Sequence, residues 1–204
     1  MIKDLVIRVE TQRDYRTVEE LTREAFWNVY RPGCLEHYVL HCFRSREEFI
    51  PELSLVLEKN GEIIGHIMYA NARIDLQSGE QMPVMTFGPF SIAPQHQRKG
   101  YGAFLLEFSI EKAKKLGAEA VAITGNIDLY GKFGFEIAKT KGIVYKEYPD
   151  ADFFLIKELK NGILDNVCGS YTDPGGYFVN EAEAEEFDKT FAPKQKLILP
   201  EQLG

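Results

Sequence analysis

The stretch Phe90-Ser91-Ile92-Ala93-Pro94-Gln95-His96-Gln97-Arg98-Lys99-Gly100-Tyr101-Gly102-Ala103 constrains the fold more than any other part of the chain. An apolar strand runs into a loop whose glycines open a helix. Unpaired backbone N–H groups and the helix dipole make such a helix start a site for anions. Glycine lets a phosphate approach the backbone closely, and Arg98 and Lys99 add positive charge. Together these features suit a pyrophosphate. Spacing then sorts the phosphate-binding classes. A dinucleotide fingerprint needs a third glycine where this chain has Leu105, and a P-loop needs Ser or Thr after Gly-Lys, which is absent. What remains is Gln/Arg-x-x-Gly-x-Gly/Ala between a strand and an amphipathic helix.

The surrounding pattern is mixed. Leu5 to Val9 reads as a strand, and Thr11 with Asp14 as the start of a helix. Val18, Leu21, Ala25 and Val29 would line one face of that helix, ending at Arg31-Pro32-Gly33. A second helix is expected over Leu35 to Phe49. Strands at Leu53 to Leu57 and Ile63 to Tyr69 flank Asn60-Gly61, a strong hairpin signal because both residues tolerate positive φ. In the strand Met82 to Ile92, Gly88-Pro89 marks a bulge or an edge, since proline cannot donate to the ladder. A helix from Tyr101 to Leu116 should pack through Phe104, Leu105, Phe108 and Ala113. It is followed by the buried strand Ala120-Val121-Ala122-Ile123, a short helix near Asp128 to Phe133, and strands at Ile143 to Tyr145 and Phe153 to Ile156. A charged helix from Glu181 to Phe191 closes the pattern. Its run Glu181-Ala182-Glu183-Ala184-Glu185-Glu186 reads as a solvated face. The expected architecture is one α/β domain: a mixed, mostly antiparallel central sheet flanked by helices. Residues 1–160 would form the core, and 161–204 a C-terminal extension packed on the same domain.

With 204 residues and a net charge of −7, the chain can bury a core unaided and lacks the basic surplus of a nucleic-acid binder. Its three cysteines, Cys34, Cys42 and Cys168, are odd in number and irregularly spaced, which fits free thiols in the cytoplasm. Met1-Ile2-Lys3-Asp4 opens no apolar leader, and no apolar run is long enough to span a membrane. Neither nucleic acid nor membrane is therefore an expected partner.

A second motif, Leu129-Tyr130-Gly131-Lys132-Phe133-Gly134-Phe135, follows the glycine loop by about 30 residues with a strand between them. On these two motifs the sequence resembles the GNAT superfamily of N-acetyltransferases, over about residues 3 to 160. Gly88-Pro89-Phe90-Ser91-Ile92 and Thr124-Gly125-Asn126 resemble its subgroup of predicted bacterial acetyltransferases. The resemblance implies the GNAT fold, whose fourth and fifth strands splay apart to admit the pantetheine arm of acetyl-CoA. Phe90, Ser91 and Ile92 would line that arm. Gln97, Arg98, Lys99, Gly100, Tyr101, Gly102 and Ala103 would hold the pyrophosphate. The inferred bulge at Gly88-Pro89 lies where splaying is needed.

Acetyl transfer to an amine also needs an acid for the departing thiolate, and by motif position Tyr130 is the candidate. Asn126 is a candidate for a hydrogen bond to acetyl-CoA or for capping the turn before Asp128. The base stays open among His66, Asp75, Glu80 and relayed water, because Thr86, Phe87 and Gly88 carry no basic group. Phe26, Trp27, Tyr30, His37 and Tyr38 are candidates for an acceptor wall or for core. Cys34, His37, His41 and Cys42 share a broad helix face, yet four ligands on one helix cannot readily close a tetrahedron, so no metal is expected. No cysteine falls in either motif, which argues for direct attack. The implied function is acetyl transfer to a small-molecule or peptide amine. A non-catalytic acyl-CoA sensor and an interaction protein on the same fold are the alternatives. A homodimer, the commonest closed assembly, stays open.

Overall fold

Strands β2 (Leu55–Lys59) and β3 (Glu62–Leu76) turn back on each other at Asn60-Gly61, where φ is 51° and 81°. This is the left-handed geometry that two-residue hairpin turns require. The computed structural model describes residues 5–200 and 202. Residues 1–4, on which the expectation of no leader rests and which include residues 3 and 4 of the resemblance, lie outside them. The chain divides into two units, Met1–Met68 with Pro89–Ser109 and Gly175–Gly204, and Tyr69–Gly88 with Ile110–Pro174.

In the first unit, β1 (Leu5–Val9) pairs antiparallel with β2, from Leu5↔Lys59 to Val9↔Leu55, and β2 pairs antiparallel with the start of β3. Ala93 N–H donates to Ile64 O at 2.9 Å at the end of β4 (Gln81–Ile92). Helices α1 (Tyr15–Phe26), α2 (Glu36–Phe43) and α5 (Glu181–Asp188) belong to this unit, as does the first part of α3 (Tyr101–Lys115). Val18, Leu40 and Phe43 from the helices, with Leu55, Leu57, Ile64 and Ile67 from the strands, are fully buried. A Cβ on Gly65 would stand 2.6 Å from Ile92 Cδ1 and 3.4 Å from Leu105 Cδ2, so only glycine lets β4 and α3 come this close to β3.

In the second unit the strand order is β3, β4, β5 (Ala120–Thr124), β8 (Phe154–Glu158), β6 (Glu136–Ile137), with β9 (Gly169–Tyr171) joining β3 to β7 (Ile143–Tyr145). Pairing is antiparallel for β3–β9, β5–β8 and β6–β8 and parallel for β4–β5 and β7–β9, within the mixed, mostly antiparallel sheet flanked by helices that the sequence implies. The core here is Ile74, Met82, Val84, Ala120, Ala122, Tyr145, Phe154, Ile156 and Tyr171.

Several expected boundaries and contacts are corrected. Helix α1 stops at Phe26, because Asn28 takes φ 60° and closes a loop: its N–H donates to Gly33 O, and Gly33 N–H donates back to Asn28 Oδ1, both at 2.8 Å. Val29 is consequently exposed. Helix α2 ends at Phe43, where Ser45 Oγ donates to Cys42 O at 2.9 Å and Arg44 turns inward. Phe104 and Phe108 are 43% and 44% exposed, while Leu105 and Ala113 are buried.

Candidate active site

The glycine loop belongs to the first unit. After Ile92 a single 3-10 turn, Pro94–His96, carries the chain outward, and Gln97 Nε2 donates back to Ile92 O at 3.0 Å. Arg98 has φ 58° and Gly100 φ 86°, two left-handed positions before the helix. Such alternation turns successive N–H groups to one side, a geometry suited to anions. The first backward bond of α3 runs from Phe104 N–H to Gly100 O at 3.1 Å, so Tyr101, Gly102 and Ala103 leave the initial N–H groups of the helix for an outside partner. Gly102 lies against Phe90 and Ile92, 3.5 and 3.6 Å from its would-be Cβ. Ser91 points the other way, its Oγ 3.1 Å from Thr22 Oγ1. Lys99 Nζ donates to Gln95 O at 2.7 Å, which fixes the loop, whereas Arg98 is exposed. Lys59, which the motif does not contain, holds its ammonium 5.2 Å from the Tyr101 ring centroid. It adds a cation that only the fold brings to this helix start.

Tyr130 belongs to the second unit. Residues Gly125 to Gly134 form a compact hook: α4 (Ile127–Tyr130), then a 3-10 turn, Gly131–Phe133. Asn126 Oδ1 accepts from Asp128 N–H at 2.8 Å, the capping geometry, and Tyr130 N–H donates to Asn126 O at 3.0 Å. The Tyr130 ring packs with Phe87 and Phe135, at centroid distances of 5.9 and 5.8 Å. A Cβ on Gly125 would stand 2.6 Å from the Tyr130 ring, so Gly125 makes room for the phenol. Within this unit β5 pairs with β8 at five consecutive positions but with β4 only at Met85↔Val121. Gly88 follows with φ 145°, a backbone that favours glycine.

The base candidates separate sharply. His66 is fully buried, and burial pushes its imidazole down to about 4 against the opposing pull of Glu10. Ser54 Oγ donates to Glu10 Oε2 at 2.9 Å and lies 3.1 Å from His66 Nε2, which therefore carries the ring proton. The same network continues through Arg44, whose Nη2 donates to Glu10 and Nη1 to Glu19, both at 2.6 Å, and ends at His41 on Glu19 at 2.9 Å. Asp75 accepts from Gln81 Nε2 at 2.9 Å, and Glu80 sits exposed in its turn.

Three of the aromatic candidates of the first unit, Trp27, His37 and Tyr38, are covered by the C-terminal segment. Trp27 Nε1 donates to Gln195 O at 2.9 Å beneath Lys194, and Tyr38 Oη donates to Glu183 at 3.0 Å. Phe26 and Tyr30 pack on each other, with Tyr30 exposed. His37 is buried between Phe187 and Phe191, with Nε2 3.2 Å from Asp188 and Nδ1 3.3 Å from Cys34 Sγ. Burial pushes the Cys34 thiol up to about 12, reinforced by the charge on Glu36. Arg23 clasps Asp188 at 2.6 Å. Cys34 and His37 thus contact each other, while His41 turns to Glu19. Among the described residues no group of three or more His, Cys, Asp or Glu could hold a metal ion, and no helix is long and apolar enough to cross a membrane.

Residues 17–135 match the acetyltransferase (GNAT) family. The chain is 25% identical over 166 residues to the uncharacterized N-acetyltransferase YhbS of Escherichia coli K12, covering 81% of this chain and 93% of that one. It is 32% identical over 88 residues to the uncharacterized N-acetyltransferase YjhQ of the same organism, a match spanning 42% of this chain and about half (47%) of that relative. Its fold is similar to the crystal structure of E. coli YhbS in complex with CoA, with a TM-score of 0.74 at 22% identity over 85% of this chain and 92% of that one. It is also similar to a GNAT family acetyltransferase of Brucella melitensis in complex with acetyl-CoA, with a TM-score of 0.69 at 22% identity over 85% and 98%.

Proposed function

The chain belongs to the acetyltransferase (GNAT) family, and from that footing we propose that it transfers an acetyl group from acetyl-CoA to a primary amine by direct attack. The observation that carries this reading is the start of α3. The left-handed Arg98 and Gly100 precede three outward-directed N–H groups, with Lys59 and Arg98 supplying charge. Under this reading Gln97 to Ala103 hold the pyrophosphate of the donor. Phe90, Ser91 and Ile92 offer backbone to its pantetheine arm, and Asn126 keeps its amide nitrogen for the ligand while its oxygen caps α4. The CoA and acetyl-CoA held by the two similar structures support the same donor.

In the step itself the amine nitrogen attacks the thioester carbonyl, the C–S bond breaks, and Tyr130 gives its phenolic proton to the departing thiolate. A phenol of ordinary pKa about 10 matches a thiol of about 8.5 well enough to share that proton. The amine must arrive neutral, although at pH 7 under about one alkylamine in a thousand is. A residue or water has to take its proton. His66 is a weak base for this, since its burial holds it neutral and poorly basic. The acceptor in this reading is a small-molecule or peptide amine, and a cytoplasmic location with free cysteines belongs to the same proposal.

Thiol release from acetyl-CoA should be followed with a small alkylamine, an aminoglycoside, an alanyl peptide and a lysyl peptide. At least one should raise CoA release well above the amine-free rate. Binding of acetyl-CoA without release from any amine would replace this reading with a non-catalytic sensor. Absence of both would leave an interaction protein on the same fold.

A further inference from the structure

We propose that Lys157, on β8 and outside both sequence motifs, is the positioning residue for Tyr130, an inference that rests on Tyr130 as the acid. Its ammonium donates to Phe133 O at 2.6 Å, at the C-terminal end of the hook that carries Tyr130. Carbonyls at a helix end have no partner within the helix and carry the negative end of its dipole, so a cation there satisfies both. The neighbouring Gly134 closes the hook in a left-handed conformation that favours glycine. Gly134 has φ 82°, and a Cβ built on it would stand 2.6 Å from Lys157 Nζ. The lysine thus meets the hook beside the glycine of the Tyr-x-x-x-Gly-Phe motif.

The geometry gives the contact a mechanical consequence. At its start the hook is tied by Gly125 N–H to Phe153 O at 2.7 Å and by the Asn126 cap. At its end it has the Gly134 N–H bond to Gly131 O at 2.9 Å and Lys157, before the two-residue ladder of β6 begins at Glu136. Tyr130 sits between these ties. Lys157 itself pairs with Val121, the β5 residue that also pairs with Met85, so its backbone is fixed in the middle of the sheet. A rigid strand therefore holds the C-terminal end of a short, self-bonded turn. Without the ammonium, residues 131–134 can unwind and carry the phenol off position. A misplacement of about 1 Å is enough to cost on the order of 100-fold in rate.

Lys157→Met keeps the aliphatic stem and removes the donor, and Lys157→Arg restores a donor. Hydrogen exchange over residues 126–135 should quicken in Lys157→Met and stay near the parent rate in Lys157→Arg. With the fastest amine of the panel above, Lys157→Met should lower kcat roughly 10- to 100-fold while KM for acetyl-CoA stays within about threefold. Lys157→Arg should recover most of the loss. In a Tyr130→Phe background, Lys157→Met should cause no further loss, because it acts only through the phenol. Unchanged exchange, an unchanged kcat in Lys157→Met, or the same loss in both backgrounds overturns the proposal while Tyr130→Phe alone remains impaired. Full kcat in Tyr130→Phe removes the acid reading, and this inference with it.

Discussion

Gly100 and Gly102 stand two residues apart, and a methyl group added to each meets a different environment. Gly100 has φ 86° with nothing within 4 Å of a built Cβ, so its whole cost on substitution is backbone strain. Gly102 is helical, and its Cβ would make ordinary contacts with Phe90 and Ile92 at 3.5 and 3.6 Å. Gly100→Ala should destabilise the fold by roughly 1 kcal/mol, and Gly102→Ala should be neutral or stabilise it by up to about 1 kcal/mol. Urea melts of both variants check this, and equal losses would contradict it. Gly100 was legible as a glycine that lets a phosphate approach the backbone. The left-handed Arg98 was not, since arginine gives no local sign of positive φ. Gly65, Lys59 and Lys157 were also silent as functional residues, and Gly125 entered only as part of the resemblance. Each is explained by side chains elsewhere in the fold: Ile92 for Gly65, Tyr130 for Gly125, Tyr101 for Lys59 and Phe133 O for Lys157.

Elements with a strong local signal were legible as such. The Asn60-Gly61 hairpin and the helix opening at Tyr101 follow from turn chemistry and periodicity, and both stand in the structure. Element ends were less legible because distant partners decide them. Asn28, which stops α1, is held by Gln195 O at 3.1 Å and by Leu197 N–H at 3.1 Å as well as by Gly33. Arg44, which follows α2, is drawn to Glu10 and Glu19. The short strands β6 and β9 span two and three residues and carry too little pattern to be recognised. The aromatic residues of α1 and α2 illustrate the same limit. Their spacing suggested a wall or a core, and the C-terminal segment, about 150 residues further along, is what covers Trp27, His37 and Tyr38.

At the scale of the whole molecule, acid stability depends on rings buried in neutral form. His66 is pushed down to about 4, and burial pushes His37 down as well, against the pull of Asp188. An unfolded chain protonates these rings near 6.5, so between pH 6.5 and about 4 unfolding takes up protons and stability falls as pH falls. For His66 the drop from 6.5 to about 4 corresponds to roughly 3 kcal/mol at the acid end. Asp14, held below the usual carboxylate range by Arg8, adds a loss of the same sign only at still lower pH. Urea midpoints between pH 7 and 4 should decline accordingly, and His66→Gln should flatten part of that slope. A flat profile in the parent chain would contradict the buried neutral assignment.

Binding of the CoA pyrophosphate at the start of α3 is read out by a thermal titration with CoA. Ligand at about 100 times its Kd should add roughly 2.7 kcal/mol, which for a chain of this length raises Tm by about 5–10 °C. A concentration-dependent rise of that size, reduced in an Arg98→Glu variant that folds normally, is the predicted result. A Tm that does not move at millimolar CoA, with no heat of binding by calorimetry, would contradict the account.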